Sequence, residues 1–343
     1  MGWWEVNADT LAHSRFVISP LAETFASLKL LHAASATHPG ERAWLTAHLP
    51  AYRRRLAHDP TADLLVRTGV GRDWIADFLT PTPRYGETFE EGVARVRTVA
   101  PALARDHLVR SRPGPLPAAL ADRDDLPERA ADLFTFVWEE AVRPYWDRRR
   151  RVLEADVVAR TARVGQDGWA AVLDALRPGT RWLDGNRLQI NLYANPPREI
   201  SGAELVFVPV TSKAGWVAWE EPERYAVIYP CAGALADHGG GRTASAALGA
   251  LLGSARATVL VLLDSPHSTT QLTAVTGQPL GSVGRHLRVL LDAGLVERRR
   301  AGRSVLYSRT AAGEVLIEAA GRKQGLGPGP EQGRTPTGVS IRL

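Results

Sequence analysis

The segment from Leu251 to Arg309 is compatible with few folds. Helical periodicity recurs over three short stretches, Leu251–Leu263, Ser268–Thr276 and Leu280 to about Ala293. Only Gly277-Gln278-Pro279 separates the second stretch from the third, and glycine adopts the positive φ that a sharp turn between helices can require. Two helices joined by so short a glycine turn form a helix-turn-helix motif. We therefore predict this motif at the centre of the segment.

The helix predicted from Leu280 has two unlike faces. At 100° per residue, one face is apolar and comprises Val283, Leu287 and Leu290. The opposite face, with the start of the helix, carries small and basic residues: Gly281, Ser282, Arg285 and Arg288. We expect Gly281 and Gly284 to let the backbone approach a neighbour closely. A helix with this outer face fits the major groove of DNA, where an arginine can donate two hydrogen bonds to a guanine.

A β-hairpin is predicted directly after this helix. The residues from Leu295 to Arg309 form two short strands joined by the turn Arg300-Ala-Gly-Arg303. Its cationic tip is expected to reach phosphates or the minor groove through Arg299, Arg300 and Arg303. A helix-turn-helix followed by such a hairpin is a winged helix.

Charge is distributed unevenly along the chain. The whole sequence has a formal net charge of +5. Residues 242–310 alone contain nine arginines and three acidic residues, so the basic excess is concentrated in the segment of the predicted motif. A local excess of this kind indicates a polyanionic partner for that segment.

Five short motifs in this segment together resemble a known family. In chain order they are Arg256–Leu263, Gln271–Gly277, Val283–Leu290, Asp292–Val296 and Gly302–Tyr307. At these spacings they closely resemble the winged-helix domain of ArsR/SmtB-type bacterial transcriptional regulators. The resemblance implies a transcriptional regulator that binds double-stranded DNA in a sequence-specific way. It also implies that residues 279–288 form the recognition helix and that the hairpin is the wing.

The same resemblance implies a homodimer. The helices around Thr243–Leu252 and Ala311–Ala320 would join two copies, and two-fold symmetry would place two recognition helices on a near-palindromic operator. Metal-sensing members resemble one another in carrying paired cysteines on the helix before the turn, where this chain has Ser268-Thr-Thr-Gln-Leu-Thr273. Cys231 is the only cysteine, and we expect it to be a small buried core residue at the end of a strand rather than a reactive thiol. We therefore expect no metal site and no cofactor.

The first 240 residues are predicted to form a mostly helical domain with a small β-rich segment. One helix start is marked by Ser19-Pro20, a capping residue followed by proline, ahead of an apolar stripe. Further helices are predicted at Glu41–Ala57, Glu87–His107, Pro127–Val142 and Pro144–Leu176. Three strands are predicted between Gly185 and Cys231, beginning at Leu188, Ala203 and Tyr225. The expected fold class is α+β, predominantly helical.

Glycine marks the expected domain boundary. Gly239–Gly241 predicts a linker between a domain at 1–240 and the winged helix at 242–320, and the Gly- and Pro-rich residues 321–343 predict a disordered tail. The first domain resembles the long N-terminal region of some actinobacterial regulators of this type, with Arg15–Glu23 near its start. That resemblance implies no known activity.

Three other functions are possible for such a chain: enzyme activity, effector binding and protein binding. The sequence has no phosphate-binding loop, nucleophile elbow or H-E-x-x-H motif, so we expect no enzyme activity. The ten tryptophans, among them Trp138, Trp146, Trp169 and Trp182, would either form core or line a pocket for a small-molecule effector. A winged helix that binds a protein partner is the alternative function. A lone cysteine, no leader pattern and no apolar run of about 18 residues predict a cytoplasmic protein without a membrane span.

Overall fold

The computed structural model describes residues 2–36, 39–71, 74–112, 114–193, 195–213, 215–231, 245–263, 267–301 and 304–322. Backbone contacts divide the chain into two compact units. The first unit comprises Met1–Gly241 with Thr273–Gly277, and the second comprises Arg242–Leu272 with Gln278–Leu343. Helices predominate and the strands form small sheets, which confirms the α+β, mostly helical class. Within the described residues, no helix is both long and apolar enough to cross a bilayer.

The helices of the first unit precede most of its strands. They are α1 (Ala8–His13), α2 (Pro20–Ala33), α3 (Pro39–His58), α4 (Pro60–Gly69), α5 (Phe89–Arg97), α6 (Pro101–Arg110), α7 (Ala118–Ala121), α8 (Leu126–Val137) and α9 (Trp146–Asp174). Short 3₁₀ turns occupy Asp77–Leu79 and Arg143–Tyr145, and a π-helical turn occupies Trp138–Val142.

Helix α2 begins where the sequence predicts. The Ser19 hydroxyl accepts a hydrogen bond from the Ala22 N–H at 3.1 Å, and Pro20 takes the first helical position, where its missing N–H is not needed. The apolar stripe is buried along its whole length and comprises Leu21, Phe25, Leu28 and Leu31. Helix α2 is therefore a core helix of the first unit.

Two predicted helices are interrupted by residues that do not fit a continuous helix. The helix expected over Glu87–His107 is two helices, α5 and α6, because Pro101 opens α6 and disfavours helical conformation in the residue before it. The helix expected from Pro144 contains a break at Gly168, whose φ of 78° is not helical. In both cases the residues before and after the break are helical. The prediction of helix is therefore correct, and only its continuity is wrong.

The strands of the first unit form two sheets. They are β1 (Gly2–Glu5), β2 (Arg15–Phe16), β3 (Arg181–Leu183), β4 (Arg187–Asn191), β5 (Arg198–Glu199), β6 (Glu204–Val210), β7 (Trp216–Glu220) and β8 (Arg224–Pro230). One sheet has the order β3-β4-β1-β5, in which only β5 runs parallel to its neighbour. The other has the order β2-β6-β8-β7, in which only the pair β7 and β8 is antiparallel.

The prediction of three strands between Gly185 and Cys231 is wrong in number. The predicted runs are β4, β6 and β8, but β5 and the edge strand β7 also form there. In β7, Trp216 and Ala218 are buried and their neighbours are half-buried, so no polar side chain marks an outer face before Glu220. Strands β1 and β2 pair with β4 and β6, which are distant in sequence, and local periodicity does not reveal such partners.

The sheet β2-β6-β8-β7 is covered on both faces. One face joins the core of the helices through Val206, Val208, Ala226 and Ile228. The other face joins a second core, shared with the other sheet, through Leu205, Phe207, Val227 and Tyr229. Strands covered on both faces are near-continuous apolar runs, which is why β6 and β8 are recognisable in the sequence.

A buried ion pair links α2 and α9, and its carboxylate also binds Thr211, which follows β6. Arg149 Nη1 of α9 lies 2.7 Å from Glu23 Oε1 of α2, and the side chains are 4% and 0% exposed. The Thr211 N–H donates to Glu23 Oε2 at 2.8 Å, and its hydroxyl donates to Oε1. Arg149 also donates to Ser27 Oγ and lies over the Trp44 ring. The carboxylate is thus fully paired, whereas Arg149 Nε and Nη2 have no acceptor among the described residues.

Cys231 follows β8 and is buried, as predicted for a core residue. Burial raises the pKa of its thiol well above the usual value, and Asp156 and Glu23 act in the same direction. It packs with Val152 and Leu153 of α9. The thiol is therefore held protonated, whereas nucleophilic attack and metal ligation both need the thiolate.

The C-terminal elements follow the predicted order. They are α10 (Ala246–Leu252), α11 (Ser254–Leu262), β9 (His267–Ser268), α12 (Thr269–Thr276), α13 (Leu280–Asp292), β10 (Val296–Ala301), β11 (Ser304–Arg309) and α14 (Ala311–Arg322). The strands form a small sheet in the order β10-β11-β9. Helix α14 continues to Arg322, two residues past the predicted boundary at 320. The predicted linker at Gly239–Gly241 and residues 323–343 of the predicted tail lie outside the described residues.

Candidate nucleic-acid interface

Helices α12 and α13 are the two helices of the predicted motif. Ser268 caps α12, because its hydroxyl accepts from the Gln271 N–H at 3.2 Å while the Ser268 N–H donates to Gln271 Oε1 at 2.5 Å. This reciprocal pair is a capping box. Gly277 follows α12 with a φ of 67°, a conformation that side chains disfavour, and Pro279 precedes α13. The turn is therefore made by the glycine that the sequence singled out.

The apolar face of α13 anchors the helix in the C-terminal core. Val283, Leu287 and Leu290 are each at most 1% exposed, as predicted from their spacing. They pack in one cluster with Val259 and Leu260 of α11, Leu263 directly after α11, and Leu272 of α12. With this face fixed, the opposite face of α13 lies on the surface.

The outer face of α13 carries the predicted base-contacting residues. Gly281, Arg285 and Arg288 are exposed, and Ser282 is half-buried. In the part of the chain that the structure describes, neither arginine has a carboxylate partner. Both guanidinium groups are therefore available to a ligand.

A close backbone approach is expected at Gly281 and Gly284, but none is made to the described residues of the chain. A Cβ added to either residue would meet no heavy atom within 4 Å, so α13 makes no close approach to another described part of the chain there. The predicted close approach is therefore wrong within the chain. The space beside both glycines is open to a second molecule.

His286 reports on the electrostatics of α13. It is half-buried, and its pKa is lowered first by burial and then by Arg256 and Arg285. The imidazole is therefore mostly neutral at pH 7. The contribution of the two arginines indicates positive charge around His286 among the described residues.

Strands β10 and β11 form the predicted hairpin. They pair antiparallel, with Arg299 opposite Leu306 and Arg300 opposite Val305. Arg299 and Arg300 are exposed as expected, whereas Arg303 of the predicted tip lies outside the described residues. Because successive side chains of a strand alternate, Arg299 and Arg300 point to opposite faces of the hairpin.

Arg298 is a candidate contact that the sequence-based prediction omits. It is exposed on β10, two residues before Arg300, and so belongs to the same face. Distance from the hairpin tip favours Arg299 and Arg300 as DNA contacts. Alternation of side chains along the strand instead places Arg298 on the same face as Arg300. Once β10 is assigned as a strand, this alternation can be read from the sequence.

Comparison with known proteins supports the motif. Residues 251–299 match a family model described as a helix-turn-helix domain. The match covers α11, α12 and α13 and ends within β10. No characterised protein and no solved structure shows significant similarity to the chain. The chain therefore carries a helix-turn-helix domain, a fold through which transcriptional regulators bind DNA.

Proposed function

We propose that this chain is a sequence-specific transcriptional regulator of the ArsR/SmtB type. The observation that carries the proposal is the pair of exposed arginines, Arg285 and Arg288, opposite the fully buried face of α13. In the major groove, such arginines donate paired hydrogen bonds to O6 and N7 of guanine. Gly281 and Ser282 lie in the first turn of the same helix, and no described residue blocks the approach of the DNA backbone beside Gly281.

The direct test is selection from a pool of random double-stranded DNA with the full chain. We expect enrichment of a near-palindromic sequence, because a dimer places two recognition helices one helical turn apart. Binding to that sequence should weaken steeply with salt, since phosphate contacts release counterions. If no sequence is enriched, the chain is not a sequence-specific regulator, and the protein-binding alternative takes its place.

We assign the hairpin β10–β11 to the DNA backbone or the minor groove. Replacing Arg299, Arg300 and Arg303 by alanine should weaken binding to every DNA sequence, because phosphate contacts carry no sequence information. The slope of log K against log salt should decrease in magnitude by up to roughly three units. The measurement is a salt titration on selected and on random DNA. An unchanged slope would show that the wing does not touch DNA.

Homodimerisation through α10 and α14 is part of the proposal. The two helices share a small core with α11, formed by Leu248, Ala257, Val261, Leu316 and Ile317. Beside that core, Leu251 of α10 is 66% exposed and Val315 of α14 is 63% exposed. Large apolar side chains exposed on two helices that share one core favour an interface at this surface.

The double variant Leu251→Glu, Val315→Glu is expected to be a monomer. Four carboxylates brought together across a two-fold axis would have to lose water and would repel one another. Sedimentation of the full chain measures the change, and operator affinity should fall with it. The control is Leu103→Glu, Val109→Glu, which changes two exposed apolar residues of α6. If Leu251→Glu, Val315→Glu is still a dimer, the dimer interface lies elsewhere.

We assign the first unit a regulatory role without direct contact to DNA, and no catalytic role. The assignment is supported by charge, because the basic excess of the chain lies in residues 242–310. An effector alters DNA affinity only if it binds the DNA-competent and incompetent states differently. The first unit would then need a place to hold that effector.

A further inference from the structure

A cavity of about 410 Å³ lies within the first unit. Five separate parts of that unit contribute to its wall: α2 through Lys29, the loop after α4 through Trp74, the loop after α9 through Arg177, the end of β4 and the loop after it through Tyr193, and β7 through Trp216 and Trp219. Sites for small organic molecules typically enclose about 300–1,000 Å³. The cavity is therefore large enough for a substituted one- or two-ring compound.

Two cationic side chains line this cavity. Lys29 Nζ lies 5.5 Å from the centre of the Trp216 ring and has no hydrogen-bond or ion-pair partner among the described residues. Arg177 donates from Nε to Thr180 Oγ1 at 3.2 Å and from Nη2 to the Ile190 carbonyl, which fixes its orientation. Its Nη1 has no acceptor within the described ranges. The cavity thus offers N–H donors that the described chain leaves unused.

Three tryptophans, Trp74, Trp216 and Trp219, also line the cavity. The rings of Trp74 and Trp219 meet edge to face, with centroids 5.4 Å apart and planes at 78°. Trp74 Nε1 is buried and has no hydrogen-bond acceptor in the described structure. The Trp74 and Trp219 rings therefore supply apolar contact area at the cavity wall.

Burial perturbs the ionisable groups of the cavity. Burial, reinforced by Arg177, lowers the pKa of Lys29 to about 8, and burial lowers the pKa of Arg177 to about 10. The third charged group in the wall is Asp77, whose pKa burial raises to about 6. At pH 7 the described residues of the wall therefore contribute two cations and one carboxylate. This excess of one positive charge matches a ligand with a single negative charge.

We propose that this cavity binds a small aromatic carboxylate, with its carboxylate oxygens toward Lys29 and Arg177 and its ring against the tryptophans. Charge-assisted hydrogen bonds to a carboxylate are stronger than those to a neutral acceptor. The indole rings supply flat apolar contact area for an aromatic body. The proposal concerns binding by the first unit and does not depend on the proposed function of α13.

The test is calorimetric titration of the full chain with 2-naphthoate and with 2-naphthamide, which has the same rings without the charge. We expect one binding site and at least a tenfold preference for the acid. Lys29→Met should reduce 2-naphthoate affinity about tenfold and leave 2-naphthamide unchanged. The matched control is Lys213→Met, which removes an exposed lysine outside the cavity and should change neither. Thermal unfolding confirms that both variants are folded.

Three results of this titration would overturn the proposal. The first is failure of 2-naphthoate, benzoate and indole-3-acetate to bind at about 5 mM, near the weakest affinity that a specific site would show. The second is equal affinity for the acid and the amide, which would indicate an apolar cavity without anion recognition. The third is an equal effect of Lys29→Met and Lys213→Met. No DNA is present, so failure here leaves the proposed function untouched.

The pH dependence of binding provides a second readout. Raising the pH from 7 to 9 deprotonates Lys29, so 2-naphthoate affinity should fall, and Lys29→Met should remove this fall. Lowering the pH from 7 to 5.5 protonates Asp77, whose charge Arg110 and Arg198 otherwise favour, so affinity should rise. Asp77→Asn should remove that rise. Arg177 and Tyr193 also face the cavity and remain in every variant. Affinity that is constant from pH 5.5 to 9 contradicts the proposed charge pairing.

Discussion

Replacing Arg285 and Arg288 together by alanine is expected to remove most sequence-selective DNA binding and to leave the fold intact. A bidentate contact between arginine and guanine is worth about 1–3 kcal/mol of discrimination, so two independent contacts are worth about 2–6 kcal/mol. Both side chains are exposed, and their loss should change the free energy of unfolding by less than about 0.5 kcal/mol. Fluorescence anisotropy with the selected DNA measures the loss of affinity.

Random DNA separates base contacts from phosphate contacts in the same experiment. A base contact affects the selected sequence far more than random DNA, whereas a phosphate contact affects both equally. The control is Arg53→Ala, Arg54→Ala, which removes two exposed arginines of α3. Equal losses on selected and random DNA would contradict the assignment of Arg285 and Arg288 as base-contacting residues.

Replacing Glu23 by alanine is expected to cost the first unit about 3–5 kcal/mol of unfolding free energy. The reason is the charge of Arg149, which would stay buried at 4% exposure without its carboxylate. The Thr211 N–H and hydroxyl would also lose their acceptor. Chemical denaturation followed by tryptophan fluorescence measures the effect on this unit alone, because all ten tryptophans lie between Trp3 and Trp219.

Two further variants test the cause of this loss. Glu139→Ala breaks an ion pair with Arg143 that is exposed on both sides, so it should cost at most about 1 kcal/mol. The double change Glu23→Leu, Arg149→Met leaves no unpaired charge and should recover part of the stability lost in Glu23→Ala. A cost for Glu23→Ala no larger than that for Glu139→Ala would show that the buried pair contributes little.

Local patterns in the sequence predict the candidate interface well. The spacing of Val283, Leu287 and Leu290 fixes which side of α13 is buried, and the orientation of Arg285 and Arg288 follows from it. A helix repeats every 3.6 residues, so its faces depend only on near neighbours in the chain. The hairpin is predicted for the same reason, since its two strands are adjacent in sequence.

The cavity could not be predicted in this way. Lys29, Trp74, Arg177 and Trp216 lie on four different elements, and no spacing in the sequence links them. The alternatives for the tryptophans were core or pocket, and the described structure contains examples of both. Trp4 is fully buried in a core, whereas Trp74 lines the cavity. Whether a tryptophan lies in a core or lines a cavity depends on packing against residues distant in sequence, which a local pattern does not contain.

The early strands β1 and β2 have a consequence for synthesis on the ribosome. Trp4 of β1 pairs with Leu188 of β4, and Phe16 of β2 pairs with Phe207 of β6. At about 5–20 residues per second, roughly 10–40 s separate the appearance of each strand from that of its partner. During this interval the helices between them can form, but Trp4 has no strand to pair with. Both sheets of the first unit therefore close late, and nascent chains are most exposed to aggregation until β6 and β8 have emerged.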